Sequence, residues 1–369
     1  MREMCADGFR GPSNVHEAMF YNRLDGGDVH CYLCGQHCMM NEGRLGVCGV
    51  RKNEGGELKT LVYGMVASGH IDPIEKKPLS HFYPGSMTLS VGTAGCNFRC
   101  KFCQNWTLSQ TSNGSGGRID GRYVAPEALA AQAVENRCKT IAYTYSEPTI
   151  FFEYALDAAI AAHEVGVENL FVSNGYMTKE PLRTIAPYLG AANIDIKGFN
   201  ESVYRTVMGA PGYTPMLDSV RLIKELGIWL EITTLVIPTM NDSDDELTQI
   251  ARFIKSDLGA ETPWHVSGFH PDYKMIDTPP TPAQTLQRAC DIGRAEGLYY
   301  VYAGNQPGPG WQNTRCPGCD AVVIERQGYR LTGTNLDGNS CRQCGREIAG
   351  VGLEEIGAGD GHRDTVAFR

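Results

Sequence analysis

Hydrophobic runs of strand length alternate with segments of helical periodicity from residue 87 to residue 303. The strand-like runs are Thr88–Val91, Thr140–Tyr145, Asn169–Ser173, Ala192–Ile196, Trp229–Ile237, Trp264–Phe269 and Tyr299–Tyr302. The helical segments are Pro126–Asn136, Thr149–Glu164, Pro181–Tyr188, Thr214–Leu226, Asp244–Ser256 and Pro282–Glu296. Such alternation predicts a parallel sheet with right-handed crossovers. A complete eight-stranded barrel usually takes about 250 residues, so this shorter segment predicts an α/β fold with a partial (β/α)6 TIM-like barrel.

The rest of the chain predicts smaller units around this core. The predicted boundaries are 1–85 for an N-terminal extension, 86–303 for the core, 304–315 for a Gly- and Pro-rich linker, 316–350 for a cysteine-rich module and 351–369 for a mobile tail. Within the extension, residues 15–21 favour a helix and residues 57–65 a strand. Residues 72–85 predict an ordered loop. The spacing of its residues favours a structural linker, and one wall of an active site is the alternative.

The composition is that of a globular protein with an acidic excess. Charged residues make up 20% and hydrophobic residues 42% of the 369 residues, and the formal net charge is −9. This balance disfavours a broad nucleic-acid surface. No apolar run approaches the roughly 20 residues of a membrane span, and residues 1–14 lack an apolar signal core. These features predict a cytoplasmic protein, where fourteen cysteines favour metal binding over disulfides.

The stretch after the first core strand carries three of these cysteines. Cys96, Cys100 and Cys103 follow the run Met87–Val91, so they lie on a loop at the carboxyl end of a strand, with Phe102 before the last of them. Three thiolates can hold three corners of a cubane iron–sulfur cluster, whose usual ligand set is four cysteines. The missing fourth ligand leaves one iron open to a substrate or cofactor. A zinc knuckle or three unrelated core cysteines is the alternative that spacing alone leaves open.

This loop resembles the CxxxCxΦC signature of radical S-adenosylmethionine (SAM) enzymes, where Φ is aromatic. The resemblance implies a [4Fe–4S] cluster on Cys96, Cys100 and Cys103, with SAM chelated at the open iron through its amino and carboxylate groups. It also implies reductive cleavage of SAM to a 5′-deoxyadenosyl radical that abstracts hydrogen from a substrate. In such enzymes the cofactor carries the difficult chemistry, and the protein supplies binding, orientation and exclusion of water.

Polar side chains stand at the ends of four core strands, where active sites of such folds gather. They are Ser146 and Glu147, Ser173 and Asn174, Asp195 and Lys197, and His270. Lys197 can pair with the SAM carboxylate, and the backbone at Ser146 and Glu147 can accept from the amino group. Asp195 and His270 can bond to the ribose or the adenine. Each cluster alone is equally consistent with a helix cap, a turn, a surface ion pair or a loop histidine, but their shared location favours one site.

The order of these motifs resembles the activating-enzyme branch of the superfamily, typified by pyruvate formate-lyase activating enzyme. The resemblance implies contacts from Ser146–Pro148 to the SAM amino group and from His270 to the nucleoside. It implies that Asp195 contacts the ribose side and Lys197 the carboxylate. It also implies a monovalent cation beside SAM, with Asp195 and the Ser173 region as candidate positions. The branch often has Gly-Gly-Glu-Pro where this chain has Tyr-Ser-Glu-Pro, a change that a backbone contact tolerates.

A closer resemblance spans roughly residues 30–350. It is carried by the cysteine groups and by the segments DPIEKKPLSHFYPG, GCNFRCKFCQNW, YSEPT, DIKGF and Gly304-Asn305. On these segments the chain resembles the AmmeMemoRadiSam-system radical SAM proteins, a family named for its association with Memo-type and AMMECR-type proteins. The resemblance implies such proteins as partners and supplies no substrate.

Two further cysteine groups predict small metal-binding modules at both ends of the core. The N-terminal group is Cys31, Cys34, Cys38 and Cys48, and the C-terminal group is Cys316, Cys319, Cys341 and Cys344. The C-terminal CxxC pairs flank a predicted hairpin, which is typical of a structural zinc ribbon, with a rubredoxin-like iron as the alternative. The N-terminal spacing fits either zinc or a second iron–sulfur cluster, and the sequence leaves the two open.

These features together favour a radical SAM enzyme that abstracts hydrogen from an unidentified substrate, which could be a protein. Activation of a glycyl radical enzyme is one alternative. A non-catalytic iron–sulfur electron carrier or metal-dependent scaffold is another. RNA modification is suggested by the zinc ribbon and disfavoured by the acidic balance. SAM cleavage needs an electron from outside, for which a ferredoxin or flavodoxin is expected.

Overall fold

A nine-stranded sheet forms the centre of the computed structural model, which describes residues 15–110, 119–306, 308–356 and 366–367. Its strands are β1 (Ser68–Pro73), β2 (Met87–Gly92), β3 (Thr140–Tyr143), β4 (Glu168–Ser173), β5 (Ala191–Asp195), β6 (Trp229–Val236), β7 (Trp264–Gly268), β8 (Val301–Gly304) and β9 (Val366–Ala367). Strands β2 to β8 lie side by side in chain order and run parallel. Strand β1 pairs antiparallel with β2, and β9 with β1. The predicted α/β fold is confirmed.

Six helices of at least seven residues cross over between consecutive parallel strands in the described segments. They are α1 (Pro126–Glu135), α2 (Phe152–Glu164), α3 (Lys179–Ile185), α4 (Thr214–Glu225), α5 (Asp244–Phe253) and α6 (Ala283–Ala295). Local signals favour their starts: Pro126 opens α1, and Ser243 Oγ caps α5 by accepting from the backbone N–H of Glu246 at 3.2 Å. None of the described helices has the length and apolar character needed to cross a membrane.

Short elements make up the two flanking modules and the loops. The small N-terminal strands are His16–Glu17, Tyr21–Arg23, Val29–Cys31, Met39–Met40, Arg51–Glu54, Glu57–Thr60 and Met65–Val66, the last paired with Arg122–Tyr123. The C-terminal strands are Thr314–Arg315, Val322–Gln327, Arg330–Thr334, Leu336–Asp337 and Ser340–Cys341. The short helical turns are Asp25–Gly27, Ile74–Lys76, Trp106–Ser109, Pro148–Phe151, Ala186–Tyr188, Glu201–Val203, Tyr204–Met208, Ile254–Leu258 and Leu353–Glu355.

The predicted helix at residues 15–21 is wrong. Phe20 adopts a left-handed φ of 58°, which interrupts any helix there. The flanking residues instead join two small sheets, with Glu57–Thr60 and Val29–Cys31 as their pairing partners. Pairing with distant strands therefore overrides the local pattern.

Three other predicted segments differ in extent. The strand predicted at residues 57–65 ends at Thr60, and the loop predicted at 72–85 begins inside β1 and continues as one turn of 3-10 helix. In the predicted linker, the Trp311 indole N–H donates to Gln287 Oε1 at 3.1 Å, which ties this segment to α6. Of the predicted tail, residues 351–356 and the strand β9 are described, whereas residues 357–365 and 368–369 lie outside the described segments.

The N-terminal module is joined to the loop after β4. The backbone N–H of Gly35 donates to the carbonyl of Tyr176 at 2.9 Å, and that of Thr178 donates to the carbonyl of Leu33 at 3.1 Å. This loop directly follows the carboxyl end of β4, which is the end of the sheet where sites in such folds form. The module is therefore fixed beside the candidate site.

Candidate active site

The three-cysteine loop begins where β2 ends, and its tight course depends on two glycines. A Cβ at Gly92 would lie 2.5 Å from the carbonyl oxygen of Thr144 on the neighbouring chain segment. Gly95 adopts a φ of 101°, a left-handed value that residues with side chains avoid. These two positions let the loop fold back over the carboxyl edge of the sheet.

The far side of the loop is tied to a helical segment at residues 204–208. The backbone N–H of Arg99 donates to the carbonyl of Met208 at 2.7 Å, and that of Lys101 donates to the carbonyl of Val207 at 3.0 Å. The loop is thus held at both ends by main-chain contacts, which fixes the position of its three sulfurs.

Burial strongly affects the thiols of this loop. It raises the pKa of Cys100 to about 12, although the nearby ammonium of Lys197 acts in the opposite direction. It also raises the pKa of Cys96 well above its ordinary value, with a further contribution from the carboxylate of Glu147. Thiols in such surroundings stay protonated until a metal centre displaces the protons. The loop therefore suits metal ligation better than nucleophilic catalysis.

Glu147 joins the ends of β3 and β4. Its buried carboxylate accepts hydrogen bonds from Thr149 Oγ1 at 2.6 Å, Ser173 Oγ at 2.7 Å and the backbone N–H of Asn174 at 2.8 Å. Burial raises the pKa of Glu147 against the effect of these donors. Because the carboxylate is committed to partners inside the protein, Glu147 is a positioning residue. The hydroxyl of the adjacent Ser146 is buried and has no hydrogen-bond partner among the described residues.

Asp195 and Lys197 form an ion pair at the end of β5, with 2.7 Å between Oδ2 and Nζ. The side chain of Lys197 is 11% exposed, so little water competes for its ammonium. Burial works against this charge, but Asp195 and then Cys100 raise the pKa of Lys197 above its ordinary value. A permanently charged ammonium beside the cysteine loop can bind an anionic group such as a carboxylate.

These groups line one cavity of about 470 Å³ at the carboxyl edge of the sheet. The sequence-predicted residues that the structure brings together there are Cys96, Cys100, Phe102, Cys103, Ser146, Glu147, Ser173, Asn174, Asp195 and Lys197. The volume is in the range of small-molecule and cofactor sites, roughly 300–1,000 Å³. Residues from four separate strand ends therefore share one binding cleft.

His270 is the predicted site residue that does not line this cavity. Strand β7 ends at Gly268, and the next residue, Phe269, is only 1% exposed. The backbone N–H of Phe269 donates to Thr281 Oγ1 at 2.9 Å, which anchors the chain as it leaves the strand. The following residue, His270, is exposed. His265, within β7, lines the cavity instead.

The segment after β1 forms one wall of the cavity. The sequence had favoured a structural linker for this segment. Lys76 and Lys77 line the cavity, and both bond to Asp72, at 2.8 and 2.6 Å. The hydroxyl of Tyr145 donates to the same carboxylate at 2.8 Å. Burial alone would raise the pKa of Asp72, but Lys77 and Lys76 hold it well below its usual range. Burial also lowers the pKa of Lys77 to about 8.

A buried carboxylate on β6 supports this wall and was missed by the sequence analysis. Glu231 accepts from the backbone N–H groups of Ser80 and His81 at 2.9 and 2.8 Å and lies 2.6 Å from His265 Nε2. Burial alone would raise its pKa, but His265 and the other partners lower the pKa of Glu231 to about 2. The sequence did contain a sign of this buried group, because a glutamate inside an apolar strand needs hydrogen-bond partners within the protein.

We expect acidification from pH 7 to pH 5 to destabilise the protein through His81. The His81 ring lies 2.6 Å from both the hydroxyl of Tyr302 and the carbonyl of Ala349, and burial lowers its pKa to about 4. Glu231, Arg326 and His265 also face it, and the pKa stays low in their presence. An unfolded histidine titrates near 6.5, so stability is present above that pH and falls as the pH drops toward 4, by about 2 kcal/mol at pH 5.

Urea unfolding of the wild type and of His81→Gln at both pH values tests this. The free energy of unfolding of the wild type should fall by about 2 kcal/mol between pH 7 and pH 5, and that of the variant should fall markedly less. Equal losses in the two proteins would contradict the assignment to His81.

The C-terminal cysteines lie close enough to bind a single metal ion. The sulfurs of Cys316 and Cys344 are 3.5 Å apart and those of Cys319 and Cys341 are 3.7 Å apart. All four ligand atoms lie within 4.8 Å of one another. The predicted hairpin is present between the two pairs, formed by Val322–Gln327 and Arg330–Thr334.

The tip of this hairpin reaches the cavity. Gly328 and Tyr329 are among the lining residues. Arg326 is buried and donates to the carbonyl of Ser80 at 2.7 Å, and it lies 3.5 Å from Glu75 of the same wall. The C-terminal module is therefore part of the cavity wall and not a separate appendage.

The N-terminal cysteines line a second, smaller cavity. The four residues are Cys31, Cys34, Cys38 and Cys48. None of the four forms a disulfide within the described segments, and three of them are buried. The structure thus brings this predicted ligand set together, next to Asn97 of the three-cysteine loop.

Comparisons with known proteins agree with this geometry. The model of the Radical SAM superfamily matches residues 90–254, which include the cysteine loop and the strand ends after it. An uncharacterised protein of Methanocaldococcus jannaschii is 46% identical over 336 residues, covering 90% of this chain and 99% of that protein. The chain contains a domain of the radical SAM superfamily.

Two further relatives of this radical SAM protein carry named activities. Pyruvate formate-lyase-activating enzyme of Clostridium pasteurianum is 23% identical over 206 residues, covering 53% of this chain and 84% of that enzyme. Isethionate sulfite-lyase activating enzyme of Desulfovibrio desulfuricans is 30% identical over 112 residues, covering 30% of this chain and 36% of that enzyme. Superfamily membership and these relatives identify the protein as an enzyme and leave its substrate undefined.

The radical SAM cavity fits a [4Fe–4S] cluster and SAM, the groups that the superfamily implies. Three cysteine sulfurs face one cavity, and no fourth cysteine of the described residues lines it. Ser146 Oγ and Gln104 Nε2 are buried in the same cavity wall without a hydrogen-bond partner among the described residues. Buried polar atoms in proteins almost always have partners. Their lack of one here indicates a polar ligand in this cavity.

Proposed function

We propose that the protein binds SAM at a [4Fe–4S] cluster held by Cys96, Cys100 and Cys103 and uses it to abstract hydrogen from a substrate. The observation that carries this proposal is the shared cavity of these cysteines with Ser146, Asp195 and other strand-end residues. When bound and reduced, the cluster supplies the electron that cleaves SAM to a 5′-deoxyadenosyl radical. A substrate bound over this cavity would exclude water from that radical.

The lining residues have distinct roles in this proposal. The ammonium of Lys197 pairs with the SAM carboxylate, and Asp195 orients Lys197 and contacts the ribose. The chain at Ser146 accepts from the SAM amino group, with the buried Glu147 holding that chain in place. Phe102, 3% exposed, lines the cavity between two of the cysteines and contacts the bound cofactor in this proposal. His270 has no role in binding SAM in this proposal, because its side chain lies outside the cavity.

A monovalent cation beside SAM is a further part of the proposal. Asp195 and Ser173, with Asn174, offer oxygen ligands at adjacent strand ends in the cavity. Oxygen donors of this kind suit a hard cation. Dependence of SAM affinity on potassium or sodium concentration is the measurement that checks it.

Replacing Lys197 with alanine should weaken SAM binding by roughly 10- to 100-fold, because a hydrogen bond to a charged group contributes about 1.5–3 kcal/mol. Iron content should not change, since Lys197 is not a cluster ligand. Equilibrium binding of SAM to the iron-loaded protein measures the effect. The matched control is Lys179→Ala, an exposed lysine on α3 outside the cavity. Unchanged affinity in Lys197→Ala would remove the assigned role.

The proposed partner proteins and cellular compartment are based on the closer family resemblance. We propose that the protein acts in an AmmeMemoRadiSam system with Memo-type and AMMECR-type proteins, in the cytoplasm, and takes its electron from a ferredoxin or flavodoxin. The described cysteines form no disulfide, which suits a reducing compartment. Co-purification and stimulation of SAM cleavage by these proteins test the partnership.

Activation of a glycyl radical enzyme is a second candidate function. It is favoured by the similarity to two activating enzymes. That similarity covers 53% of this chain for one enzyme and 30% for the other. The activity is tested by looking for a glycyl radical signal when the reduced protein and SAM are mixed with a candidate partner.

The two structural features that complete the proposal are a partial barrel and a zinc ribbon. The consecutive parallel order of β2 to β8 supports a partial (β/α)6 TIM-like barrel. Four sulfurs within 4.8 Å of one another support tetrahedral zinc at the C-terminal cysteines. Because the ribbon hairpin lines the cavity, its zinc would shape the substrate side of the site.

A further inference from the structure

The N-terminal cysteines differ from the C-terminal group in how far apart their sulfurs lie. A zinc ion with four thiolates at about 2.3 Å holds neighbouring sulfurs about 3.8 Å apart. The C-terminal sulfurs have this spacing, at 3.5 and 3.7 Å. Among the described residues, that group is the one set of three or more such ligand atoms within 4.8 Å of one another. The N-terminal four surround a cavity without forming so tight a set.

The three-cysteine loop, which holds the [4Fe–4S] cluster in the proposed function, also lacks so tight a set of sulfurs. Cys96, Cys100 and Cys103 line one cavity, yet they too form no group within 4.8 Å. In a cluster, thiolates bind different irons, so their sulfurs stand farther apart than around a single ion. Among the described residues, one cysteine group thus has the spacing of a single ion, and the other two cysteine groups do not.

The surroundings of the N-terminal cavity also suit a cluster. Its wall includes the apolar side chains of Leu33, Met40 and Ile150. One cation, Arg51, lies in the wall with its side chain 2% exposed. The backbone N–H of Val47 lies 3.4 Å from Cys38 Sγ as a donor. Burial, nearby charge and hydrogen bonds to sulfur are the features that set the potential of iron–sulfur clusters.

The position of this cavity links it to the SAM site. Asn97 lines it and is the residue after Cys96 in the chain. The side-chain amide of Gln36, between Cys34 and Cys38, donates to the carbonyl of Asn97 at 2.7 Å. A guanidinium N–H of Arg99 also donates to the carbonyl of Val47 at 3.2 Å. Direct hydrogen bonds therefore join the two cysteine-bearing segments.

We propose that Cys31, Cys34, Cys38 and Cys48 hold an iron–sulfur cluster and not zinc. The protein then contains two iron–sulfur centres side by side and one zinc in the C-terminal ribbon. The inference concerns which cofactor is bound and does not depend on SAM cleavage, so the two can fail separately.

The test removes the SAM-site cluster and asks what metal remains. A variant with Cys96, Cys100 and Cys103 all changed to alanine is purified anaerobically without reconstitution, and its iron, sulfide and zinc are measured. We expect about one zinc and either about two or about four irons with equal sulfide, together with visible charge-transfer absorption. About two zincs without sulfide, or iron without sulfide, would overturn the proposal.

A second pair of variants keeps the SAM-site loop intact. Cys34→Ser should lose the iron and sulfide of the N-terminal centre and retain the zinc, whereas Cys290→Ser, a buried cysteine on α6, should change neither. Loss of one zinc from Cys34→Ser with iron and sulfide unchanged would contradict the assignment. Far-UV circular dichroism on the same samples confirms that each variant is folded.

Discussion

Replacing Cys100 with alanine should abolish both the SAM-site cluster and the formation of 5′-deoxyadenosine. The loop supplies three cysteines to the cavity, and loss of one leaves two ligands for a cluster that already lacks a fourth. Cys100 itself is buried, with 8% of the residue exposed. The measurements are iron and sulfide content, and chromatography of SAM products after reduction under anaerobic conditions.

The matched control is Cys290→Ala, because Cys290 is also buried but lies on α6 outside the cavity. It should retain the wild-type iron content and activity. A Cys100→Ala protein that still makes 5′-deoxyadenosine at the control rate would contradict the assignment of this loop.

Replacing Glu153 with alanine should destabilise the folded protein by about 3–5 kcal/mol, the usual cost of leaving a buried charge without its partner. Glu153 on α2 lies 2.9 Å from Arg51 of the N-terminal module, with side chains 7% and 2% exposed. It also accepts from the backbone N–H of Met19 at 2.7 Å. The pair therefore joins the N-terminal module to the core. Urea unfolding of the metal-loaded protein measures the loss.

An exposed ion pair in the same protein gives the comparison. Arg205 and Glu201 lie 3.5 Å apart with side chains 67% and 44% exposed. Glu201→Ala should cost less than about 1 kcal/mol, since solvent screens such pairs. The double variant Arg51→Met/Glu153→Leu should recover much of the stability lost in Glu153→Ala. Equal destabilisation by Glu153→Ala and Glu201→Ala would show that the buried pair does not have the assigned role.

The sequence predicted those parts of the site that depend on where strands end and on cysteines that lie close together in the chain. The alternation of strands and helices determines where each parallel strand ends, and every such end lies on the same edge of the sheet. Ser146, Asn174 and Lys197 could therefore be assigned to one cavity without any contact information. The cysteine loop was equally accessible, because its chemistry lies in the spacing of Cys96, Cys100 and Cys103.

The parts that could not be predicted depend on contacts between distant residues. Glu231 accepts from Ser80 and His81, about 150 positions earlier in the chain, and no local pattern encodes that pairing. Phe269, the residue before His270, is held by a hydrogen bond to Thr281, twelve positions later. The direction of a side chain beyond a strand end is thus set by packing, which the sequence pattern does not reveal.

The most direct test of the central claim is the EPR spectrum of the reduced, iron-loaded protein with and without SAM. The measurement needs no substrate, because SAM binds at the open iron before any hydrogen is abstracted. Binding as proposed should change the signal of the SAM-site cluster, and the change should be absent in Cys100→Ala. A fully loaded, reduced cluster whose signal stays the same at saturating SAM would contradict the account.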